Sequence, residues 1–149
     1  MSNNHDMDEL LQQLEEDYVQ AVKSNESKNI EDFVEQFLYD SWAYNENNIE
    51  NIKSVLSRYT RNEIYRATFS GSFNEMVEHL QQKLKQLDQS GKYPVVHTNN
   101  GASVLVAFVD GLVIQYYVGI YSVSQLRSMT PFFKRLILEA LKVEAETKK

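Results

Sequence analysis

Residues 102–121 read Ala-Ser-Val-Leu-Val-Ala-Phe-Val-Asp-Gly-Leu-Val-Ile-Gln-Tyr-Tyr-Val-Gly-Ile-Tyr, and the fold turns on how they are taken. Two β-branched, aromatic-rich runs flank Asp110-Gly111, a strong local signal for a hairpin. The competing structure is a buried helix of about twenty residues, introduced by Thr98-Asn99-Asn100 as a capping segment. A lone two-stranded hairpin is marginal in water, and no other segment offers a third strand. Helical spacing also gives a coherent face, Ala107, Gly111, Ile114, Val118 and Tyr121, whose small members would admit a second helix at close range. Context therefore favours helix. A membrane span is rejected, because Asp110 near its middle costs about 2.5–3.5 kcal/mol on insertion scales. Gln115 adds to that cost, and the flanks carry no anchoring Lys or Arg.

The segments around this one carry helical periodicity. Leu10, Leu11, Leu14, Tyr18 and Val22 set one face of a first helix, capped by Asp6 or Asp8 and running to about Lys23. Ser24 to Ser27 interrupts it. Ile30, Phe33, Phe37, Leu38 and Trp42 mark a second helix from about Asn29 to Tyr44. Ile49, Ile52, Leu56 and Tyr59 begin a third, which Ile64, Tyr65 and Phe69 extend less regularly. Gly71-Ser72 is read as the next break, before a fourth helix carrying Phe73, Met76, Val77, Leu80, Leu84 and Leu87 that ends near Ser90-Gly91. The last segment is amphipathic after Pro131, which either stands near a helix start or kinks a longer helix. No repeat, linker or boundary divides the chain. The expected fold is all-α, a single domain of about six helices over residues 1–149.

Composition narrows the function classes. The 149 residues suit one domain, and only 2 Pro and 5 Gly argue against a turn-rich sandwich or barrel. There is no Cys, so disulfides, thiolate metal sites and cysteine nucleophiles are excluded. The formal charge of −6, with Lys and Arg scattered in ones and twos, disfavours direct DNA or RNA binding. Residues 1–6 lack the cationic and apolar regions of a signal peptide.

Chemistry-bearing clusters are sparse. His5-Asp6 resembles the dyad of metal-dependent HD phosphohydrolases but lacks the further ligands around it. Glu75 and His79 share a helix face, yet no Glu-x-x-His or His-Glu-x-x-His occurs, and neither does a P-loop, dinucleotide fingerprint or Gly-x-Ser-x-Gly. No enzyme, metal or cofactor is expected. Aromatics are more informative. Most must be core, but Tyr18, Tyr39, Trp42, Tyr44, Tyr59, Tyr65 and Tyr116 each bring a polar tip that needs a partner when buried. Aromatic walls with a few polar handles are also what a small-molecule cavity requires. Asp110 and Gln115 must likewise find partners in the core, an interface or a ligand.

Three stretches carry a resemblance. Met7-Asp-Glu-Leu-Leu-Gln-Gln-Leu-Glu-Glu-Asp-Tyr18 resembles the first helix after the DNA-binding region of tetracycline-repressor (TetR) family regulators. Ala102 to Leu112, followed by Gln115, resembles the penultimate helix of that family's C-terminal domain, and Phe132 to Lys142 its last. The resemblance spans essentially the whole chain and resolves the hairpin ambiguity in favour of helix. It implies an all-helical effector-binding and dimerisation domain in a bacterial cytoplasm, with the last two long helices pairing with their copies. The family's helix-turn-helix does not occur in this sequence. Two roles stay open: the sensor domain of a regulator separated from its DNA reader, which is preferred, or a headless antirepressor that binds a full-length TetR-like repressor. The expected homodimer face comprises Ala107, Gly111, Ile114 and Val118 with Phe133, Ile137 and Leu141. The expected cavity for a small hydrophobic or aromatic effector is lined by Phe37, Trp42, Tyr59, Phe69, Met76, Phe108, Gln115 and Tyr116, with Gln115 as polar anchor. No membrane partner is expected.

Overall fold

A computed structural model of the chain describes residues 3–61 and 66–144, with the side chains of 9–58, 60, 61, 71 and 74–144. Six α-helices follow one another: α1 (Asn3–Ser24), α2 (Ile30–Asn47), α3 (Ile49–Thr60), α4 (Arg66–Leu87), α5 (Gly101–Tyr117) and α6 (Val123–Leu141). A 3₁₀ turn at Pro94–His97 joins α4 to α5. The described residues contain no strand and no helix long and apolar enough to cross a membrane. Asp110-Gly111 thus lies inside a helix and not in a hairpin turn.

The main core gathers around α5. Gly101, Ala102, Leu105, Val106, Val109, Leu112 and Val113 form its buried stripe, at the three- and four-residue spacing of a helix face. Phe33, Val34, Leu38 and Trp42 of α2, Leu80 and Leu84 of α4, and Leu126, Phe133, Ile137 and Leu141 of α6 close around it. A second, small cluster joins Leu11 of α1 to Val55 of α3, with Leu10 and Leu14 packed beside them.

Polar side chains fix the junctions. Asn29 caps α2 by accepting from the Asp32 amide at 2.7 Å. Ser122 and Gln125 form a reciprocal capping box at the start of α6. Pro131 therefore sits inside a longer helix, one of the two placements its sequence allowed. Next to it, Thr130 is fully buried, donates to the Leu126 carbonyl and accepts from Trp42 Nε1 at 2.9 Å, which ties α6 to α2. The buried Asp88 carboxylate accepts from the amides of Lys92 and Tyr93 and pairs with His97 at 3.0 Å, so it organises the connection before α5.

Three sequence expectations change. The break at Gly71-Ser72 is absent, since α4 already starts at Arg66. One glycine costs about 1 kcal/mol in a helix interior, too little to end a helix that packs along α1. The Asn100 side chain makes no capping bond. Gln81 of α4 does that work instead, accepting from the Ala102 amide at 2.7 Å while donating to the Val96 carbonyl. Finally, Phe133, Ile137 and Leu141 are buried within the chain, so their face of α6 cannot meet a partner. The hydrophobic effect has already used that stripe against α2 and α5; the exposed apolar residues of α6 are Phe132 and Leu136.

Gly101 sits where α5 crosses the 3₁₀ turn. A Cβ there would stand 2.6 Å from both the Val95 carbonyl oxygen and Val96 Cα, and backbone cannot step aside as a flexible side chain would. Gly101→Ala should destabilise the fold by about 1–3 kcal/mol. At Gly71, where a Cβ meets nothing within 4 Å, the same change should stabilise by about 0.5–1 kcal/mol. Urea unfolding of the two variants checks the opposite signs.

Candidate ligand cavity

The two apolar clusters do not merge. Between them lies a cavity of about 330 Å³, at the lower end of the roughly 300–1,000 Å³ range of small-molecule sites. Leu11, Leu14 and Tyr18 of α1 and Ile52, Val55 and Leu56 of α3 form one wall. Val106, Val109, Val113 and Tyr117 of α5 form the opposite one, with Phe37 and Tyr44 of α2 and Met76 of α4 closing the sides. Leu56 and Ile114, both exposed, mark its open rim.

Aromatic packing shapes the inner end. Phe37 stacks on Phe33 at 5.9 Å between centroids and meets the Tyr18 ring edge-to-face at 6.0 Å. The polar groups of the lining are mostly occupied with each other. Tyr44 Oη donates to Asp17 Oδ2 at 2.9 Å, and Tyr117 Oη donates to Asn45 Oδ1 at 2.6 Å. The Asn45 amide donates to the Ser41 carbonyl, and the Ser41 hydroxyl to the Phe37 carbonyl, both at 2.8 Å. Burial raises the Tyr44 and Tyr117 hydroxyls above the ordinary tyrosine value; the Asp17 carboxylate reinforces this at Tyr44, and the Asp110 carboxylate at Tyr117.

Two groups stand apart. The Tyr18 hydroxyl is buried and has no hydrogen-bond partner among the described residues. Its proton is held more tightly than usual, chiefly through desolvation and secondarily through the Asp110 charge. Asp110 lines the cavity beside the rim with no ion pair or hydrogen bond in the described structure. Crowding by apolar neighbours pushes its carboxyl up to about 6.

Of the expected lining residues, Phe37 and Met76 are in place. Trp42 is fully buried elsewhere in the core, spent on Thr130. Phe108 and Tyr116 are half-buried against the main core, and Gln115 does not reach the cavity. The reason is angular: Phe108, Gln115 and Tyr116 lie off the α5 stripe that carries Val106, Val109, Asp110, Val113 and Tyr117. The side chains of Tyr59 and Phe69 lie outside the described residues. Sequence reasoning missed the α1 wall and named only Tyr59 on α3. Their leucines were legible as apolar faces, but nothing in the spacing says across what gap they look. Among the described residues no three His, Asp or Glu side chains converge as a metal ion would require.

Comparison with protein-family models, with curated proteins and with solved structures finds no match for this chain.

Asp110 gives the cavity a pH signature. The folded chain binds this proton more readily than the unfolded chain, whose value is near the ordinary 3.8. Ionisation above about pH 6 therefore costs stability, which returns as pH falls toward 4. Asp110→Asn should stabilise the chain near neutral pH by about 1 kcal/mol or less, given the partly solvated rim. Thermal melts across pH should show that gain vanishing toward the acid end; a gain independent of pH would contradict it.

Proposed function

We propose that this chain is a ligand-sensing, dimer-forming regulatory domain of the TetR kind, which takes a small, largely apolar molecule into the cavity and does not itself contact DNA. The observation that carries the proposal is the cavity: two apolar clusters held apart by space of ligand size. A well-packed domain of this size has few voids larger than a water molecule. The net charge of −6 supports a role away from nucleic acid.

The geometry suggests how such a signal travels. α1 and α3 face α5 across the cavity, so an occupant touches both sides at once. Filling it stabilises one arrangement of α1 against α5 and shifts the population toward that arrangement. In the TetR resemblance α1 is the helix nearest the DNA reader, and α5 and α6 are the helices that pair with the partner subunit. The outer face of α5 suits the second role: Ala107, Gly111, Ile114 and Val118 are exposed, Val118 at 68%. Phe132 and Leu136 of α6 add further uncovered apolar surface. The antirepressor alternative gains no separate support.

Two measurements test this. A thermal-shift screen of small apolar and aromatic compounds should find stabilising ligands, since one present at about a hundred times its Kd adds about 2.7 kcal/mol. Ile52→Trp, which puts an indole into the cavity, should abolish the shift; no stabiliser across a broad library would contradict the proposal. In sedimentation the chain should run as a dimer at micromolar concentration, and Gly111→Leu should weaken it. A Cβ at position 111 meets nothing within 4 Å of its own chain, so that loss reports the interface and not the fold. A monomer in the unaltered protein would contradict the dimer.

A further inference from the structure

We propose that the cavity's ligand is an organic cation, a protonated amine on an apolar body, with its ammonium group held by the Asp110 carboxylate. This rests on the ligand-binding function proposed above and adds the chemical class of the ligand.

The inference comes from counting what the wall can still offer. Apart from the buried Tyr18 hydroxyl, every hydrogen-bond donor placed above in the lining is already spent: Tyr44 on Asp17, Tyr117 on Asn45, Asn45 and Ser41 on backbone carbonyls. What remains is acceptor capacity on the Asp110 carboxylate, which is exposed to the cavity and has no protein partner among the described residues. An ionised carboxylate only accepts, so a ligand that pairs with it must bring donors, and an ammonium group brings several on one atom. Charge points the same way. The lining includes Asp17, Asp40 and Asp110 but no Lys, Arg or His, so an anion is repelled. Lys53, the cation over the Tyr117 ring, is exposed, 6.0 Å from the ring centroid and outside the lining.

A neutral apolar ligand would strip the remaining water from Asp110 and leave its charge uncompensated, which is unfavourable unless the group protonates. An inorganic cation fits poorly, because a divalent ion wants about six oxygens and no suitable cluster exists among the described residues. The rest of the wall is aliphatic and aromatic, which suits the body of an amphiphilic amine.

The test compares phenylbutylamine with phenylbutanol, nearly isosteric and differing in charge, by calorimetric titration at about pH 7.5, where the amine is protonated. The amine should bind at least about tenfold more tightly, a difference of about 1.4 kcal/mol. Asp110→Asn should bring the two affinities within about twofold, whereas Asp110→Glu should retain a preference for the amine. Equal binding of amine and alcohol to the unaltered protein would overturn the cation assignment while leaving the ligand cavity intact. Binding of neither compound would count against both proposals. A full amine preference surviving in Asp110→Asn would overturn the role of that carboxylate.

Discussion

A helix that is apolar around most of its circumference has to be covered on several sides, and α5 imposes that demand on the whole chain. α4, α6, α2 and the 3₁₀ turn all pack on it. Its N-terminus is held by Gln81 from α4, and its first residue must be glycine-sized for the turn to cross it. The side toward α1 and α3 is treated differently. α1 leans on α4 and on α3, where Leu11 and Val55 form a cluster of their own, and that cluster faces the α5 stripe across open space. The domain thus consists of one complete core and one incomplete contact, and the incomplete contact is the cavity.

An apolar gap of that size is unfavourable by itself, since its lining forgoes the dispersion contacts that filling would give. The polar groups make it costlier still. Asp110 stands on the cavity side of an otherwise apolar stripe, and Tyr18 holds a hydroxyl away from both water and protein. Elsewhere the chain satisfies buried polar groups with care: Asp88 gathers two amides and His97, and Thr130 both donates and accepts. Against that background the unsatisfied Tyr18 hydroxyl beside the cavity is a local departure. Departures from satisfied packing concentrate where a chain binds something.

Much of the architecture was legible in the sequence. The stripes of α1 and α2 and the polar stop after Leu87 follow from spacing and turn residues alone. The hairpin signal at Asp110-Gly111 was outweighed by the absence of a third strand, a global argument that a local motif cannot contain. Gly71 misled because a single glycine was weighed as a break, whereas packing along α1 outweighs its propensity. The site was half legible. Asp110 stood out as a charge inside an apolar run. Gln115 and Trp42 looked equally promising, but Gln115 lies round the helix from the cavity and Trp42 had a partner 88 residues away in sequence. Likewise, which stripe of α6 is inward depends on the position of α2, and so Phe133, Ile137 and Leu141 passed for an outer face.

The central claim, a cavity between α1, α3 and α5 that admits a small molecule while the main core stays shut, is tested most directly by methyl NMR. With Met and Ile methyls labelled, toluene titrated into the protein exerts ring-current shifts only on methyls it approaches. The Met76, Ile52 and Ile114 methyls line the cavity, whereas Ile30 and Ile137 lie in the closed core and Met129 packs against it. Saturable shifts at the first three, with the others unmoved, are the predicted result. Shifts centred on Ile30, Ile137 or Met129, or no saturable shift anywhere, would contradict it.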